Sequence, residues 1–263
     1  MLLRLFFVIS VLLTTVLTVF LPALFPWCFL LVLGIWSGIT VGAIVFLFVI
    51  SLFLIGKEPS EEEHPFLRSL AWHTMDCILA FFRFRIDGDG LERIPEEPCV
   101  VVCNHLSRFD PMVTAVLMKN RKIVFVSKKE NMKIPIAGPI LNQIGYVALD
   151  RENPLRAMRA IHRAANLVMK KSYTVGIYPE GTRSKSGELL EFKTGAFVLA
   201  KRAACPIVVS SVVGTNSYRG RFPFRSTKAR FRVLDVIPSE AVKRSKPEEL
   251  SVICRSLIEQ SIR

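Results

Sequence analysis

Apolar residues open the chain almost without interruption. No charged residue occurs between Arg4 and Lys57, and the apolar stretch breaks only at "LPALFPW", where Pro22 and Pro26 stand. Residues 5–21 and 27–55 therefore read as two apolar helices joined by a tight connection. A helix needs about 20 apolar residues to cross a bilayer. The second run reaches that with some tilt, the first only with its flanks. A cleaved signal peptide, with Arg4 leading and residues 5–21 as its core, is the competing reading. No small-x-small site follows, and a second apolar run begins at once. The second run places Gly34, Gly38 and Gly42 on one helix face, which predicts close approach of residues 5–21.

After residue 56 the pattern changes. "GKEPSEEEHP" (56–65) is a charged, proline-containing hinge. Residues 66–82 carry apolar positions at helical spacing, with His73 as an interfacial side chain. Short β-rich runs then recur at 99–103, 122–127, 145–150, 173–178, 206–214 and 229–237. Helical patterns lie near 111–119, 154–171, 193–203 and 246–262. Strand–helix alternation predicts an α/β domain with a largely parallel sheet flanked by helices. Three regions result: a membrane-embedded helical hairpin (1–56), a linker (57–65) and a catalytic domain (66–263).

Charge sharpens this picture. The 263 residues hold 35 Lys and Arg against 22 Asp and Glu, a net charge of +13, nearly all of it beyond the apolar region. That imbalance suits an anionic partner such as a phospholipid surface or a phosphorylated substrate. Nucleic acid is excluded, because no aromatic-rich basic motif accompanies the charge. The six cysteines form no CxxC pair and sit in apolar surroundings, as buried free thiols of a reducing compartment do. With Lys57 and the basic domain behind the hairpin, the positive-inside rule puts the domain on the cytoplasmic face of the cell membrane.

Candidate chemistry gathers where strands end. "NHLSRFD" (104–110) follows the apolar run 99–103 directly, so His105 and Asp110 occupy one loop. A carboxylate that accepts a proton from one imidazole nitrogen leaves the other as a lone pair aimed at substrate. Asp110 also precedes Pro111, the sequence of a helix cap followed by its first residue. Spacing alone leaves both readings open. "YPEGTRS" (178–184) supplies Gly181 for an unusual backbone, Thr182 as a hydroxyl and Arg183 as a forked cation suited to phosphate. Arg151 in "ALDREN" and Lys128 in "SKKE" follow two further strands. In a parallel sheet such positions share one rim.

These blocks resemble the glycerolipid acyltransferases. "NHLSRFD" is similar to their NHxxxxD motif, "YPEGTRS" to their EGTR block, "GYVALDR" to their arginine-ending block, and "CPIVVSSVVG" to the block with a proline before a β-run. Order and spacing agree over roughly residues 65–240, and the likeness is to the bacterial, PlsC-like kind. The resemblance implies the acyltransferase fold and an acyl transfer to the sn-2 hydroxyl of 1-acyl-sn-glycerol-3-phosphate (lysophosphatidate). It implies that His105 is the base and Asp110 its partner, and that Glu180, Gly181, Thr182 and Arg183 bind the acceptor. Arg151 and Lys128 are implied phosphate contacts, and Pro206 belongs to the acyl-donor side. It implies acyl-CoA or acyl-carrier protein as co-substrate, with no metal and no other cofactor. "VSSVVG" is more polar than the family's usual run there. The rival readings are transfer to glycerol-3-phosphate or another lysophospholipid, a lipid-ester hydrolase, and a non-catalytic basic membrane-binding protein. The hydrolase reading lacks a G-x-S-x-G elbow.

Overall fold

The computed structural model describes residues 15–16, 25–60, 64–184 and 186–262. The chain forms two units, Met1–Ile55 and Gly56–Arg263. In the first, helix α1 runs from Phe25 to Leu54, about 45 Å at 1.5 Å per residue. Its stretch Leu30–Leu54 is long and apolar enough to cross a membrane. The predicted break at Pro26 falls inside the helix, in its first turn, where a missing N–H leaves no intrahelical bond unmade. Of the first apolar run, residues 15 and 16 are helical and the remainder lies outside the described residues. No described atom lies within 4 Å of a Cβ built on Gly34, Gly38 or Gly42.

The second unit is a seven-stranded mixed sheet between helices. Its strands are β1 (Phe84–Asp89), β2 (Val100–Cys103), β3 (Ile123–Lys128), β4 (Val147–Leu149), β5 (Thr174–Ile177), β6 (Ile207–Val213) and β7 (Thr227–Ile237), in the order β1-β7-β6-β2-β5-β3-β4. β2, β3, β4, β5 and β6 are mutually parallel. β7 runs antiparallel to β6, and β1 pairs with it in parallel. The largely parallel expectation therefore holds over the central strands, with a reversed pair added at one edge. β2 and β5 are buried at every position, as strands covered on both faces must be.

The helices are α2 (Pro65–Phe81), α3 (Asp110–Leu117), α4 (Ala137–Gln143), α5 (Pro154–Lys171), α6 (Gly195–Ala203), α7 (Ser239–Arg244) and α8 (Pro247–Ile262). α5 packs on β4 and β5, α6 on β2, and α8 on β6 and β7, while α2 packs against α3 and α4. Phe197, Leu199, Leu250 and Ile258 are fully buried between helices and sheet. α5 starts where its sequence says it should: the Asn153 side chain accepts a hydrogen bond from Arg156 N, and Pro154 takes the first turn. His73 is exposed on α2. Cys99, Cys103, Cys205 and Cys254 are buried free thiols, whereas Cys77 is free but exposed on α2, against the expectation of burial.

Parallel strands leave one end of the sheet with all their carboxyl termini. At that rim lie the loops after β2, β5, β6, β3 and β4, joined by the amino ends of β1 and β7.

Candidate active site

The rim is built around His105. β2 ends at Cys103, and Asn104 continues the sheet with its side chain: Nδ2 donates to Val212 O (2.9 Å) and Oδ1 accepts from Val212 N (2.8 Å). The loop then turns back on itself. Asp110 is fully buried, and its Oδ2 accepts from His105 Nδ1 (2.8 Å), Leu106 N (2.6 Å) and Ser107 N (2.7 Å). Thr215, on the turn after β6, donates its hydroxyl to the other oxygen, Oδ1. The cap alternative is thereby settled. Phe109 is the cap residue of α3, no side-chain cap bond forms, and the Asp110 carboxylate points back into the loop.

With Asp110 Oδ2 as acceptor at Nδ1, the geometry favours the neutral tautomer that carries its proton on Nδ1 and leaves the Nε2 lone pair for substrate. The His105 ring stacks on Tyr178, with centroids 4.5 Å apart at 26°. Its side chain is 17% exposed, enough to reach a bound molecule and little enough to hold one orientation. The neighbouring Cys103 thiol is buried, and that burial drives its pKa far up.

Glu180 turns its carboxylate toward two backbone N–H groups. Its Oε1 accepts from His105 N (2.6 Å) and its Oε2 from Leu190 N (3.0 Å). The carboxylate is buried and locks the backbone of the histidine loop. Burial raises its pKa, and the two backbone N–H donors oppose that rise. Ser184 N donates to His105 O (2.8 Å), so the two motif loops are tied on both sides of one residue. Gly181 has φ +70°, the left-handed conformation that lets the chain turn between Glu180 and Arg183.

A cavity of about 300 Å³ opens beside this arrangement. Leu106, Ser107, Thr182 and Ser184 form its wall, and Arg108, Arg183 and Arg219 enter it with Tyr218 and Asn216. Among the described residues no carboxylate lines it. Three forked cations with hydroxyl and amide neighbours can hold a phosphate or another compact anion.

The structure gathers His105, Asp110, Glu180, Gly181, Thr182 and Arg183 at this point. Lys128 ends β3 and Arg151 follows β4 on the same rim, but neither lines the cavity. With strands about 4.8 Å apart, these ends lie about 10 and 14 Å sideways from β2. Pro206 stands elsewhere. Its carbonyl accepts from Val100 N (3.0 Å) at the amino end of β6, about 23 Å along that strand from its rim end at Val213. Arg108, Arg219 and Thr215 did not figure among the sequence candidates. Arg108 sits inside "NHLSRFD" itself, and "TNSYRG" follows a strand end, so the rule that pointed to Arg151 applies equally to them.

A family model described as Acyltransferase matches residues 85–213. The chain is 36% identical over 154 residues to the chloroplastic 1-acyl-sn-glycerol-3-phosphate acyltransferase BAT2 of Brassica napus, covering 58% of this chain and 43% of that one. It is 32% identical over 163 residues to the 1-acyl-sn-glycerol-3-phosphate acyltransferase of Escherichia coli K12, covering 62% of this chain and 66% of that one. The match thus spans less than half of the Brassica protein's length. The crystal structure of the 1-acyl-sn-glycerophosphate acyltransferase PlsC from Thermotoga maritima superposes with TM-score 0.60 at 24% identity, over 89% of this chain and 94% of that one. That likeness shows the fold.

Proposed function

We propose that this chain, which belongs to the acyltransferase family, transfers an acyl chain from a thioester donor to the sn-2 hydroxyl of lysophosphatidate, giving phosphatidate. The observation that carries the reading is the pair His105 Nδ1–Asp110 Oδ2 at 2.8 Å, set beside an anion-binding cavity with three arginines. In this reading Arg183, with Arg108 and Arg219, holds the acceptor phosphate. His105 Nε2 takes the proton of the acceptor hydroxyl, and Asp110 stabilises the imidazolium that forms. The resulting alkoxide attacks the thioester carbonyl, and the thiol leaves after receiving the proton from His105. The attacking oxygen belongs to the substrate, so no side-chain nucleophile takes part. General base catalysis contributes ~10²–10⁴-fold, and the remainder comes from positioning.

Acyl-CoA and acyl-carrier protein are both donors of the required chemistry, and no metal or cofactor enters the proposal. In this reading α1 lies in the cell membrane, where acceptor and product reside, and the site faces the cytoplasm; the apolar length of α1 and the basic charge from Lys57 onward support it. The two-helix hairpin, linker and catalytic domain are part of the same proposal.

The test is direct. Purified full chain is given lysophosphatidate with acyl-CoA or acylated carrier protein, and phosphatidate is measured by mass spectrometry. His105→Ala should lose ~10²–10⁴-fold of turnover while its melting temperature stays unchanged. Release of free fatty acid without phosphatidate would identify a hydrolase and end the proposal.

A further inference from the structure

We infer that the rim beside the cavity carries a second, peripheral membrane contact: an aromatic wedge formed by the loop after β6 and the end of α2, which inserts into the headgroup layer of an anionic bilayer. The inference rests on the reading that α1 lies in the membrane.

The wedge is built from two distant segments. Phe81 ends α2 and contacts Phe222 at 5.4 Å between centroids. Phe222 in turn packs on Phe82 (4.9 Å), and Phe82 on the buried Phe109 (5.0 Å). The stack therefore runs from the core outward. Its outer member Phe81 is 66% exposed, and Phe224, two residues beyond Phe222 in the same loop, is at 87% the most exposed large apolar side chain among the described residues. The loop holds a fixed shape. Phe222 N bonds Tyr218 O (2.9 Å), Arg225 N bonds Arg221 O (2.7 Å), and Arg83 Nη1 donates to Pro223 O (3.4 Å).

Scattered single apolar side chains on a surface need no explanation. These are not scattered, and the charged residues of their own loop carry one sign. Residues 215–226 contain three arginines (Arg219, Arg221 and Arg225) and no acidic residue, and Arg83 reaches the same loop, whereas Arg230 and Arg232 further along β7 are paired with Asp87 and Asp89. Aromatic rings flanked by arginine fit the interface of a bilayer, where rings sit at headgroup depth and guanidinium groups meet lipid phosphates. Arg219 and Tyr218 belong both to the loop and to the cavity wall. An inserted loop therefore opens the cavity toward the lipid layer from which an acyl-bearing acceptor must come.

The experiment uses the full chain in phosphatidylcholine–phosphatidylglycerol vesicles. Trp27 and Trp36 are replaced by Phe, the buried Trp72 is kept, and Phe224→Trp is introduced as the probe. Flotation with vesicles comes first: a chain that stays in the aqueous fraction sinks the membrane reading of α1 and this inference together. In the floated protein, the emission of the probe should be blue-shifted and should lose intensity in vesicles of brominated lipid. Water-like, unquenched emission would overturn this inference alone. A blue shift without bromolipid quenching would also overturn it and mark an acidic protein or a second copy as the occupant. In the acyltransfer assay, Phe81→Asp combined with Phe224→Asp should raise the apparent KM for vesicle-borne lysophosphatidate about tenfold. The same variant should leave transfer to a short-chain, water-soluble acceptor unchanged. Equal loss with both acceptors would show a folding defect rather than a docking surface, and would overturn it. Should the unaltered chain make no phosphatidate, the fluorescence still decides the docking.

Discussion

The two flanks of the sheet's carboxyl rim hold similar residues in different states. On the inner flank, after β2, β5 and β6, the carboxylates Asp110 and Glu180 face backbone N–H groups and an imidazole. Arg108, Arg183 and Arg219 there enter a cavity without an acidic neighbour. On the outer flank, at the ends of β3 and β4, Lys128, Lys129 and Arg156 are already matched, and Arg151 is the exception among the described residues. Lys129 binds Asp150 (2.9 Å) and Glu152 (3.2 Å), Lys128 binds Glu130 (3.4 Å), and Arg156 adds a second cation to Asp150 (3.5 Å). The bonds with Asp150 and Glu152 raise the pKa of Lys129, and Lys129 lowers that of Asp150. A place at a strand end is therefore not enough to make a cation available to a ligand. What decides is where the carboxylates go.

Asp110→Asn gives the sharpest test of the inner flank. The amide oxygen can replace Oδ2 toward the imidazole and the two backbone N–H groups, and the amide NH₂ can donate to Thr215. Only the charge is then lost. Turnover should fall by at least ~10²-fold, below the ~10⁴-fold of the comparable change in serine hydrolases, with little change in melting temperature. Near-normal kcat would show that the carboxylate serves the loop alone. Next comes Arg183→Ala, which removes a charge-assisted contact. The KM for lysophosphatidate should rise ~10- to 100-fold, and that for the donor should not move. Equal rises for both would displace the phosphate from this cavity.

Glu180→Gln should act through position. One of its two N–H partners loses its acceptor, at ~1–3 kcal/mol of stability, and kcat should drop about tenfold at constant acceptor KM. A selective rise in that KM would instead restore Glu180 to acceptor binding. Its pH signature has a definite sign. Because the fold raises this pKa above the ordinary 4.5, the group contributes stability that is complete below 4.5 and is lost as pH rises through the folded value. Glu180→Gln should flatten that part of the stability curve, as read by melting temperature against pH. The outer flank should give the smallest effects. Lys128→Ala should change acceptor KM by less than about twofold, since its charge is spent on Glu130. Arg151, exposed and without an ion pair among the described residues, should fall between Lys128 and Arg183. A Lys128 effect as large as that of Arg183 would erase the distinction between the flanks.

Part of this was legible from residue order. Strands covered on both faces appear as unbroken apolar runs, so 99–103 and 173–178 announced β2 and β5. β1 did not announce itself. "FRIDGD" is an edge strand with its charged side chains in water, and its pairing with β7 is decided by tertiary contacts 143 positions away (Phe84 with Thr227). Strand direction leaves no mark on hydrophobic pattern either, so the reversal of β7 was invisible. His105 and Asp110 stood out because both partners lie in one loop. Glu180 could not reveal its role, since its hydrogen-bond partner is 75 positions distant. Pro206 shows the same limit: its block is next to the site in sequence order, but it begins β6 at the end away from the rim.

One bond carries a further consequence. Ser184 N holds His105 O at 2.8 Å, and Arg183 is the residue before Ser184. The group proposed to grip phosphorus and the group proposed to take the proton are thus fixed to a common frame, one residue apart. Such a frame works as a gauge: it admits an acceptor by the reach from its phosphorus to its hydroxyl. A hydroxyl one carbon nearer to or further from the phosphate arrives off the imidazole lone pair. In this way regiochemistry on the glycerol backbone can be set by the protein's own main chain, with no side chain needed to recognise the carbon that bears the oxygen.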